Sequence, residues 1–594
     1  MLTPGYAILL MEFYPIGNMP AMCLTQGLPP EKKADILLLG CGDVQNILFT
    51  AHCDGPRQMD ITCCDAESSI IARNILLLTL ILGDQDRQRT SDNWNIHYHV
   101  FLNQACHDRL LAQTKKLQAL SISLETWRGS EYANIYGKLI RFCDRGTLAS
   151  VAEIWAFYVS AGTERQAWLK AAFGEAIDAL KLMKGDIPFI TLTGLRSATP
   201  AGPLAGVEVN ELHDLFWRRG NLHFDSSARS QATLANPMFV SPDATVSFTT
   251  ALTRRSRKPE LADVVAAAQA EFSTWSSTLR GRAHKEMTLR FFVGDALLFC
   301  HTLQHRHATG SARTAFCYRS RHNTMDPLVL VEDDYCVTGT APVSNVIDTT
   351  DLIDQLGALN LLAAASPLLA GDASSCLYTD TLVPLGTHSQ QQPLDQVVGG
   401  HLATTSLLLG LFPIEYWTNT SPLSIGDEQW LGALIRQQQK GDLAHWTQLI
   451  SRITWKRPPS HSEARLEPLH MEEGALASLL YQIYVDMFPD EHRARTVGNS
   501  TSRGALRHSL PLYTRLSFVA LLRLLKGRVV TDWGRAMDDL LARIESNVTL
   551  MMGKYYLQEL YLSMHLLDIH SVDTFKDFAS LRAKMGIEAK CGPA

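Results

Sequence analysis

The clearest pattern of hydrophobic and polar positions in the chain runs from Ala34 to Asp84. Within it, the near-continuous apolar run from Ile36 to Leu39 predicts a strand that is buried on both faces. Gly40-Cys41-Gly42 then predicts a tight turn of the backbone. Asp43 is placed to cap a helix that begins near Val44. The pattern therefore predicts a strand, a glycine-rich turn and a helix in close succession.

A second strand and a second helix are predicted in the same stretch. Met59 to Cys64 predicts the strand, which ends in Asp65. The segment that begins at Ile70 predicts a helix with a very apolar tail. The order of strand, glycine turn, helix, strand and acid is typical of the first half of a nucleotide-binding α/β fold.

The α/β pattern returns much later in the chain. Thr288 to Val293 predicts a strand, which Gly294-Asp295-Ala296 and a helix from Leu297 to His305 follow. Ser344 to Asp348 predicts another short strand, whereas Trp94 to Lys184 reads as helical. Parallel strands need a crossover connection but set no upper limit on its length. We therefore predict one sheet that is split by a large helical insertion.

The predicted fold class is an α/β Rossmann-like core with a split sheet, followed by a C-terminal α-helical region. A chain of 594 residues is too long for one hydrophobic core. The expected divisions are residues 1–92 and 286–420 for the two parts of the core, 93–285 for the insertion and 421–594 for the helical domain. The candidate helices of that last domain are Glu428–Lys440, His445–Trp455, Glu472–Met487, Leu512–Leu525, Thr531–Met551 and Tyr555–Leu567.

Composition excludes several classes of partner. The net charge of −6 and the pI of about 6.4 give no reason to expect binding to nucleic acid or to a membrane surface. No apolar run reaches the roughly 18 residues that a membrane span needs. The twelve cysteines are scattered, which favours a reduced, intracellular protein over a disulfide framework.

The glycine turn resembles that of class I S-adenosylmethionine (SAM) methyltransferases. The resemblance implies that Gly40 and Gly42 lie under the methionine part of SAM and that Asp65 binds the ribose hydroxyls. Glu67 competes with Asp65 for that role. It also implies that Asp295 meets the adenine amine, and Asp348 occupies a matching context after a later strand. No residue can be named as a catalytic base.

Two positions depart from the methyltransferase pattern. Leu38 stands where these enzymes usually have an acid, and Val44 stands where they usually have a further glycine. Two hypotheses follow. The first is a protein-assembly or interaction scaffold on a methyltransferase-like core without activity; the second is an active SAM-dependent methyltransferase. A side chain of Val44 that filled the space above Gly40 and Gly42 would argue against the second.

Longer stretches resemble a particular family, the fungal proteins that carry the domain of unknown function 4470 and often end in a MYND zinc finger. These stretches are FYPIGNMPAMCLTQGLPPEKKADILLLGCGDVQNILFT, DITCCDAESSIIARNILLLTLIL, RFFVGDALLFCHTLQ and NVIDTTDLIDQLGALNLL. The N-terminal domain is also similar to that of a dynein axonemal assembly factor. The resemblance implies a cytoplasmic helper of protein assembly with a protein partner, and it carries over no reaction.

No metal site is predicted. A MYND finger needs seven cysteines and one histidine in close spacing, whereas only Cys591 lies near the end of this chain. The metal-like cluster Cys300, His301, His305, His307, Cys317 and His322 lacks a paired C-x-x-C, and we interpret it as ordinary helix and loop residues. Asn236-Pro237-Met238-Phe239 is similar to a loop of amino-methylating enzymes but does not follow the proposed fourth strand, so we assign it no role.

Overall fold

The computed structural model divides the chain into two compact units. Unit 1 comprises Met1–Gly294, Val383–Thr387 and Leu423–Ser451, and unit 2 comprises Asp295–Leu382, His388–Pro422 and Arg452–Ala594. The residues that the structure describes are 7–8, 21–83, 87–129, 136–173, 215–216, 219–241, 261–315, 327–331, 343–384, 393–418, 448–458, 468–488, 513–547 and 554–572.

Unit 1 contains the predicted front half of the α/β core. Its described strands are β1 (Ala7–Ile8), β2 (Ala34–Leu39), β3 (Met59–Asp65), β4 (Phe101–Leu102), β5 (Ile140–Phe142), β6 (Leu234–Ala235), β7 (Val240–Ser241) and β8 (Met287–Val293). Its described helices are α1 (Gln45–Cys53), α2 (Ser68–Gly83), α3 (Arg87–Tyr98), α4 (Gln104–Leu120), α5 (Leu124–Gly129), α6 (Arg145–Glu164), α7 (Ser226–Gln231) and α8 (Leu261–Glu286).

Four strands of unit 1 form a parallel sheet in the order β2, β3, β8 and β5. Leu38 is paired with Cys63 on β3, and Cys63 is in turn paired with Phe291 on β8. The strand that was predicted at Thr288–Val293 is therefore confirmed, one residue longer, and it pairs with a strand far earlier in the sequence. The strands are apolar because helices cover both faces of such a sheet.

Helix α2 lies at the centre of the helical layer of unit 1. It is buried along almost its whole length, and it packs against α3 and α6. Trp155 of α6 donates a hydrogen bond from Nε1 to the carbonyl oxygen of Ala72, at 3.1 Å. This bond joins α6 to α2 two residues before Asn74, which binds the glycine turn.

Unit 2 is also mixed α/β. The described strands that have most of their residues in unit 2 are β9 (Val346–Asp348), β10 (Cys376–Pro384), β11 (Phe412–Pro413), β12 (Gln448–Lys456), β13 (Leu469–His470) and β14 (Val529–Val530). Its described helices are α9 (Ala296–Thr309), α10 (Leu352–Leu356), α11 (Ala358–Ala365), α12 (Pro393–Val398), α13 (Leu402–Leu409), α14 (Ile414–Thr418), α15 (Glu473–Met487), α16 (Arg515–Lys526), α17 (Trp533–Ser546) and α18 (Lys554–Leu566).

The main strands of unit 2 lie in the order β9, β10, β12 and β11. Strands β9 and β10 are parallel, and the short edge strand β11 is antiparallel to β12. Helix α15 packs against α17, and α16 packs against α18. Both units are thus mixed α/β with mostly parallel pairing, an arrangement that is compatible with a Rossmann-like fold.

Two sequence-based predictions of secondary structure were wrong. The segment His445–Trp455, predicted as a helix, contains strand β12 (Gln448–Lys456), because its backbone pairs with strands that are distant in sequence. The supposedly helical stretch from Trp94 to Lys184 contains the short strands β4 and β5. The predicted helix Glu428–Lys440 lies outside the described residues. In the part of the chain that the structure describes, no helix is long and apolar enough to cross a membrane.

Candidate functional site

The glycine turn that follows β2 has the backbone geometry that its sequence predicts. Gly40 has φ +65° and Gly42 has φ +54°. Residues with a Cβ atom rarely adopt this left-handed region, and glycine adopts it readily. Between them, the N–H of Cys41 donates to the carbonyl oxygen of Cys64 on the neighbouring strand, at 3.0 Å. The turn is therefore attached to the end of β3.

Asp65 closes this turn from the end of β3. Its Oδ2 accepts a hydrogen bond from the N–H of Gly42 at 3.1 Å, and its Oδ1 accepts one from the N–H of Glu67 at 3.0 Å. The N–H of Gly294 donates to its carbonyl oxygen at 2.8 Å. The structure thus brings Gly42 and Asp65 together. Both carboxylate oxygens of Asp65 accept hydrogen bonds from backbone N–H groups, one in the glycine turn and one in the loop after β3.

Asn74 of α2 holds the other side of the turn. Its Nδ2 donates to the carbonyl oxygen of Gly42 at 2.6 Å, and its side chain is buried. No role was predicted for Asn74 from the sequence. A signal was present, because Arg73 and Asn74 are adjacent polar residues inside a very apolar helix, and buried polar side chains almost always have a specific partner.

Asp43 does not cap α1, contrary to the prediction. The helix begins at Gln45, and the preceding position is occupied by Val44, which makes no side-chain capping bond. Asp43 instead accepts hydrogen bonds from the backbone N–H of Gln45 at 3.0 Å and from its Nε2 at 2.6 Å. Burial raises the pKa of Asp43, although both bonds to Gln45 lower it.

The space beside Gly42 is open. A Cβ atom built on this residue would meet no atom within 4 Å. Val44 is completely buried, whereas Gly40 and Gly42 are half-buried. The turn therefore remains accessible at Gly42 itself. The Asp65 carboxylate beside it, however, already accepts a hydrogen bond at each of its two oxygens.

Asp295, the fourth predicted site residue, belongs to unit 2 and caps its own helix. Its Oδ1 accepts a hydrogen bond from the N–H of Leu298 at 2.8 Å, which satisfies one of the free N–H groups at the start of α9. This bond gives the carboxylate a structural role.

Asp348 lies in a buried ionic cluster of unit 2. Its Oδ2 is 2.6 Å from Nη2 of Arg452, and Nη1 of the same guanidinium is 2.9 Å from Oδ2 of Asp380. Tyr378 lies against the guanidinium, with its ring centroid 4.6 Å from Cζ of Arg452. Within this cluster Asp348 has its charge partner on β12, and β10 lies between the two strands, so its carboxylate is used in pairing within the unit.

Burial dominates the electrostatics of the turn. It raises the pKa of Asp65 to about 6; the N–H groups of Glu67, Gly42 and Ala66 lower that pKa, and the carboxylate of Glu67 raises it further. The pKa of Cys41 is raised well above its usual value, first by a hydrogen bond with Cys63 and then by burial. Since the thiolate is the reactive form of cysteine, the Cys41 thiol is unsuited to act as a nucleophile.

A pH dependence of stability follows from Asp65. A carboxyl whose pKa is raised from 3.8 to about 6 on folding contributes stability that is fully present below its unfolded pKa and is lost as the pH rises through 6. At 1.36 kcal/mol per pKa unit, the contribution amounts to about 3 kcal/mol. We expect the free energy of unfolding of wild type, relative to Asp65→Asn, to fall by this amount between about pH 4 and pH 7.5, measured by urea denaturation.

The matched control for this measurement is Asp539→Asn on α17, since the Asp539 side chain is 38% exposed and pairs with Arg543 at the surface. Its difference curve should stay nearly flat. A flat curve for Asp65→Asn as well would show that the Asp65 carboxyl titrates normally in the folded protein.

The candidate metal ligands do not form a site in the part of the chain that the structure describes. No group of three or more His, Cys, Asp or Glu side chains converges there. His301 and Cys300 are buried in α9, whereas Cys317 and His322 lie outside the described residues.

Comparison with known proteins gives one match, and it covers the glycine turn, Asp65 and Asn74. Residues 15–102 match the family model of a domain of unknown function, DUF4470. No curated protein and no solved structure matches the chain. The DUF4470 segment contains β2, α1, β3, α2 and α3, so the hydrogen bonds that join Asp65, Asn74 and Cys64 to the turn lie inside it.

Proposed function

We propose that this protein is a non-catalytic assembly or interaction protein, built on a Rossmann-like core whose SAM-type site has been lost. One observation carries the proposal: the backbone N–H groups of Gly42 and Glu67 donate hydrogen bonds to the two carboxylate oxygens of Asp65. In the methyltransferases that the turn resembles, the corresponding carboxylate binds the ribose hydroxyls. Here it holds two polypeptide segments together.

The two departures from the methyltransferase pattern support the same reading. Leu38 and Val44 are 4% and 0% exposed, so each is part of the hydrophobic core. An acid at the first position would bury a charge next to β3, and a glycine at the second would leave a hole in the core. The substitutions therefore make the turn more stable as a structural element.

The interaction role is supported by an exposed face of α18. Tyr555 is 84% exposed and Leu562, seven residues later on the same side of the helix, is 39% exposed. Exposed aromatic and aliphatic side chains on one helix face are typical of protein-binding surfaces. We propose a protein partner and a cytoplasmic location, as the resemblance to an assembly factor implies, and no nucleic-acid partner, because the net charge is negative.

A second candidate is a SAM-dependent methyltransferase, and the open space beside Gly42 favours it. SAM would supply the electrophilic methyl group when bound. Gly40 and Gly42 would lie against its methionine part, and Asp65 would have to exchange at least one of its backbone partners for a ribose hydroxyl. No side chain of the turn is placed as a base in this reading.

Calorimetric titration with SAM and S-adenosylhomocysteine separates the two candidates. We expect no saturable heat and no thermal shift up to about 1 mM ligand, the concentration that corresponds to about −4 kcal/mol of binding free energy. The physical reason is that a ribose would have to displace hydrogen bonds that already satisfy Asp65.

Micromolar binding that Asp65→Asn weakens and Asp539→Asn leaves unchanged would establish the methyltransferase candidate instead. If SAM does not bind, affinity capture with wild type and with Tyr555→Ser should be compared. A partner that wild type retains and the variant loses would identify the α18 face as the interaction surface. Equal capture by both would remove α18 from the proposal.

A further inference from the structure

A cluster of buried polar side chains lies beneath the glycine turn in unit 1. At its centre is Arg73 of α2, which is 4% exposed and donates a hydrogen bond from Nη2 to the carbonyl oxygen of His97. The ring of Phe239 lies against the guanidinium, with its centroid 4.9 Å from Cζ. Phe239, for which the sequence predicts no role, thus packs against the buried guanidinium.

Polar groups around Arg73 lack hydrogen-bond partners. Within the described part of the chain, the hydroxyl of Tyr158 and both ring nitrogens of His97 have none, although these residues are 0% and 1% exposed. Buried polar groups in folded proteins are almost always satisfied by protein, water or ligand. Together these two side chains leave three buried polar atoms near one guanidinium that a bound ligand would satisfy.

Packing fixes these groups around Arg73. Trp155 binds the carbonyl oxygen of Ala72, the residue before Arg73, and Tyr158 lies one turn further along the same face of α6. Asn236 donates from Nδ2 to the carbonyl oxygens of Ile96 at 2.8 Å and His99 at 2.9 Å. It therefore ties the end of α3, with His97, to the short turn that carries Phe239.

The electrostatics of the cluster favour a negatively charged occupant. Burial lowers the pKa of Arg73 to about 10, despite the opposing influence of Tyr98, Tyr158 and Asp43. The guanidinium remains charged at neutral pH. Burial, and then the charge of Arg73, lower the pKa of His97 well below its usual value, so its imidazole is neutral and offers one N–H donor. The cluster thus presents the guanidinium charge and several donors, with the Asp43 carboxylate close enough to act on that charge.

We propose that Arg73, Tyr158 and His97 form a binding site for a small oxyanion, in which the guanidinium supplies the charge and the hydroxyl and imidazole supply hydrogen bonds. A planar guanidinium fork matches the oxygens of carboxylate and phosphate groups. Asp43 belongs to the half-buried turn and its charge acts on Arg73, so the cluster lies close to that turn. The site is independent of SAM and of a protein partner.

Titration with formate, acetate and inorganic phosphate tests the proposal in the full-length protein. Sodium chloride at equal ionic strength is the reference, and thermal shift and calorimetry are the measurements. We expect saturable binding of at least one of these anions by wild type. Tyr158→Phe should weaken it about tenfold or more, because it removes one hydrogen bond to a charged group. Comparing the affinities for formate, acetate and phosphate shows whether the site prefers a carboxylate or a phosphate.

Tyr136→Phe is the matched control, because Tyr136 is a buried tyrosine of the same unit whose hydroxyl accepts a hydrogen bond from Gln113. It should leave anion affinity unchanged. The proposal is overturned if no anion binds in a saturable way, or if Tyr158→Phe binds as tightly as wild type. Without bound anion, Tyr158→Phe should melt at the same temperature as wild type or at a higher one. The substitution then removes a buried hydroxyl that has no hydrogen-bond partner.

Discussion

Replacing Arg452 by methionine should lower the free energy of unfolding by about 3–5 kcal/mol at neutral pH, the usual cost of removing one partner from a buried ion pair. Arg452 is 8% exposed, and its guanidinium is shared by Asp348 and Asp380, whose side chains are 1% and 3% exposed. The substitution keeps a long apolar side chain but leaves two buried carboxylates without a positive charge.

The pH dependence of this effect has a definite sign. Burial raises the pKa of Asp380 to about 6, while Arg452 lowers it and Asp348 raises it. Without Arg452 the folded-state pKa of Asp380 rises further, because the guanidinium that lowers it is gone. A raised carboxyl pKa contributes stability at low pH that is lost as the pH increases. The defect of Arg452→Met should therefore shrink as the pH falls from 7 toward about 4, measured by urea denaturation at each pH.

Two controls isolate the buried charge. Arg543→Met removes a surface pair whose side chains are 40% and 38% exposed, and it should cost only about 0–1 kcal/mol. The triple replacement of Arg452 by methionine and of Asp348 and Asp380 by asparagine should recover most of the loss. A defect of Arg452→Met that is as small as that of Arg543→Met, or that is independent of pH, would contradict this account.

The parts of the fold that the sequence predicts correctly are those whose signal is local. β2 is a continuous apolar run, the turn after it needs glycine at two left-handed positions, and β8 is an apolar run of the same kind. Each feature is contained in a few neighbouring residues. The pairing of Gly42 with Asp65 follows as well, because parallel neighbouring strands bring their carboxyl ends to the same edge of a sheet.

The parts that the sequence does not reveal depend on contacts between distant residues. Strand β12 was predicted as a helix, yet Arg452 on that strand binds acids that are 72 and 104 residues away in the chain. The alternation of Ile453 and Trp455, both completely buried, was the available strand signal. Likewise, Asp295 follows a glycine, as a ligand-binding acid often does. An acid that caps a helix stands at the same place, so the sequence alone cannot distinguish the two roles.

The second large effect is expected at Trp155. Trp155→Ala should lower the free energy of unfolding by about 3–5 kcal/mol, because it removes a large buried aromatic side chain and leaves a cavity. Trp155 is completely buried, and its ring lies parallel to that of Trp127, with centroids 6.1 Å apart and planes inclined by 17°. Trp155→Phe, which retains most of the apolar contact, should cost less. Trp168→Ala is the control in the same unit, because its side chain is 42% exposed and the change should cost about 0.5 kcal/mol.

Trp155→Ala should also loosen the glycine turn, because helix α2 links the two. Trp155 binds the carbonyl oxygen of Ala72, and Asn74, two residues later on α2, binds the carbonyl oxygen of Gly42. Hydrogen exchange of the Gly42 amide, which donates to Asp65, measures this coupling. Faster exchange in Trp155→Ala than in Trp168→Ala, under conditions where both remain folded, is the expected result. Equal exchange in the two variants would mean that the contact between Trp155 and α2 does not help to hold the turn.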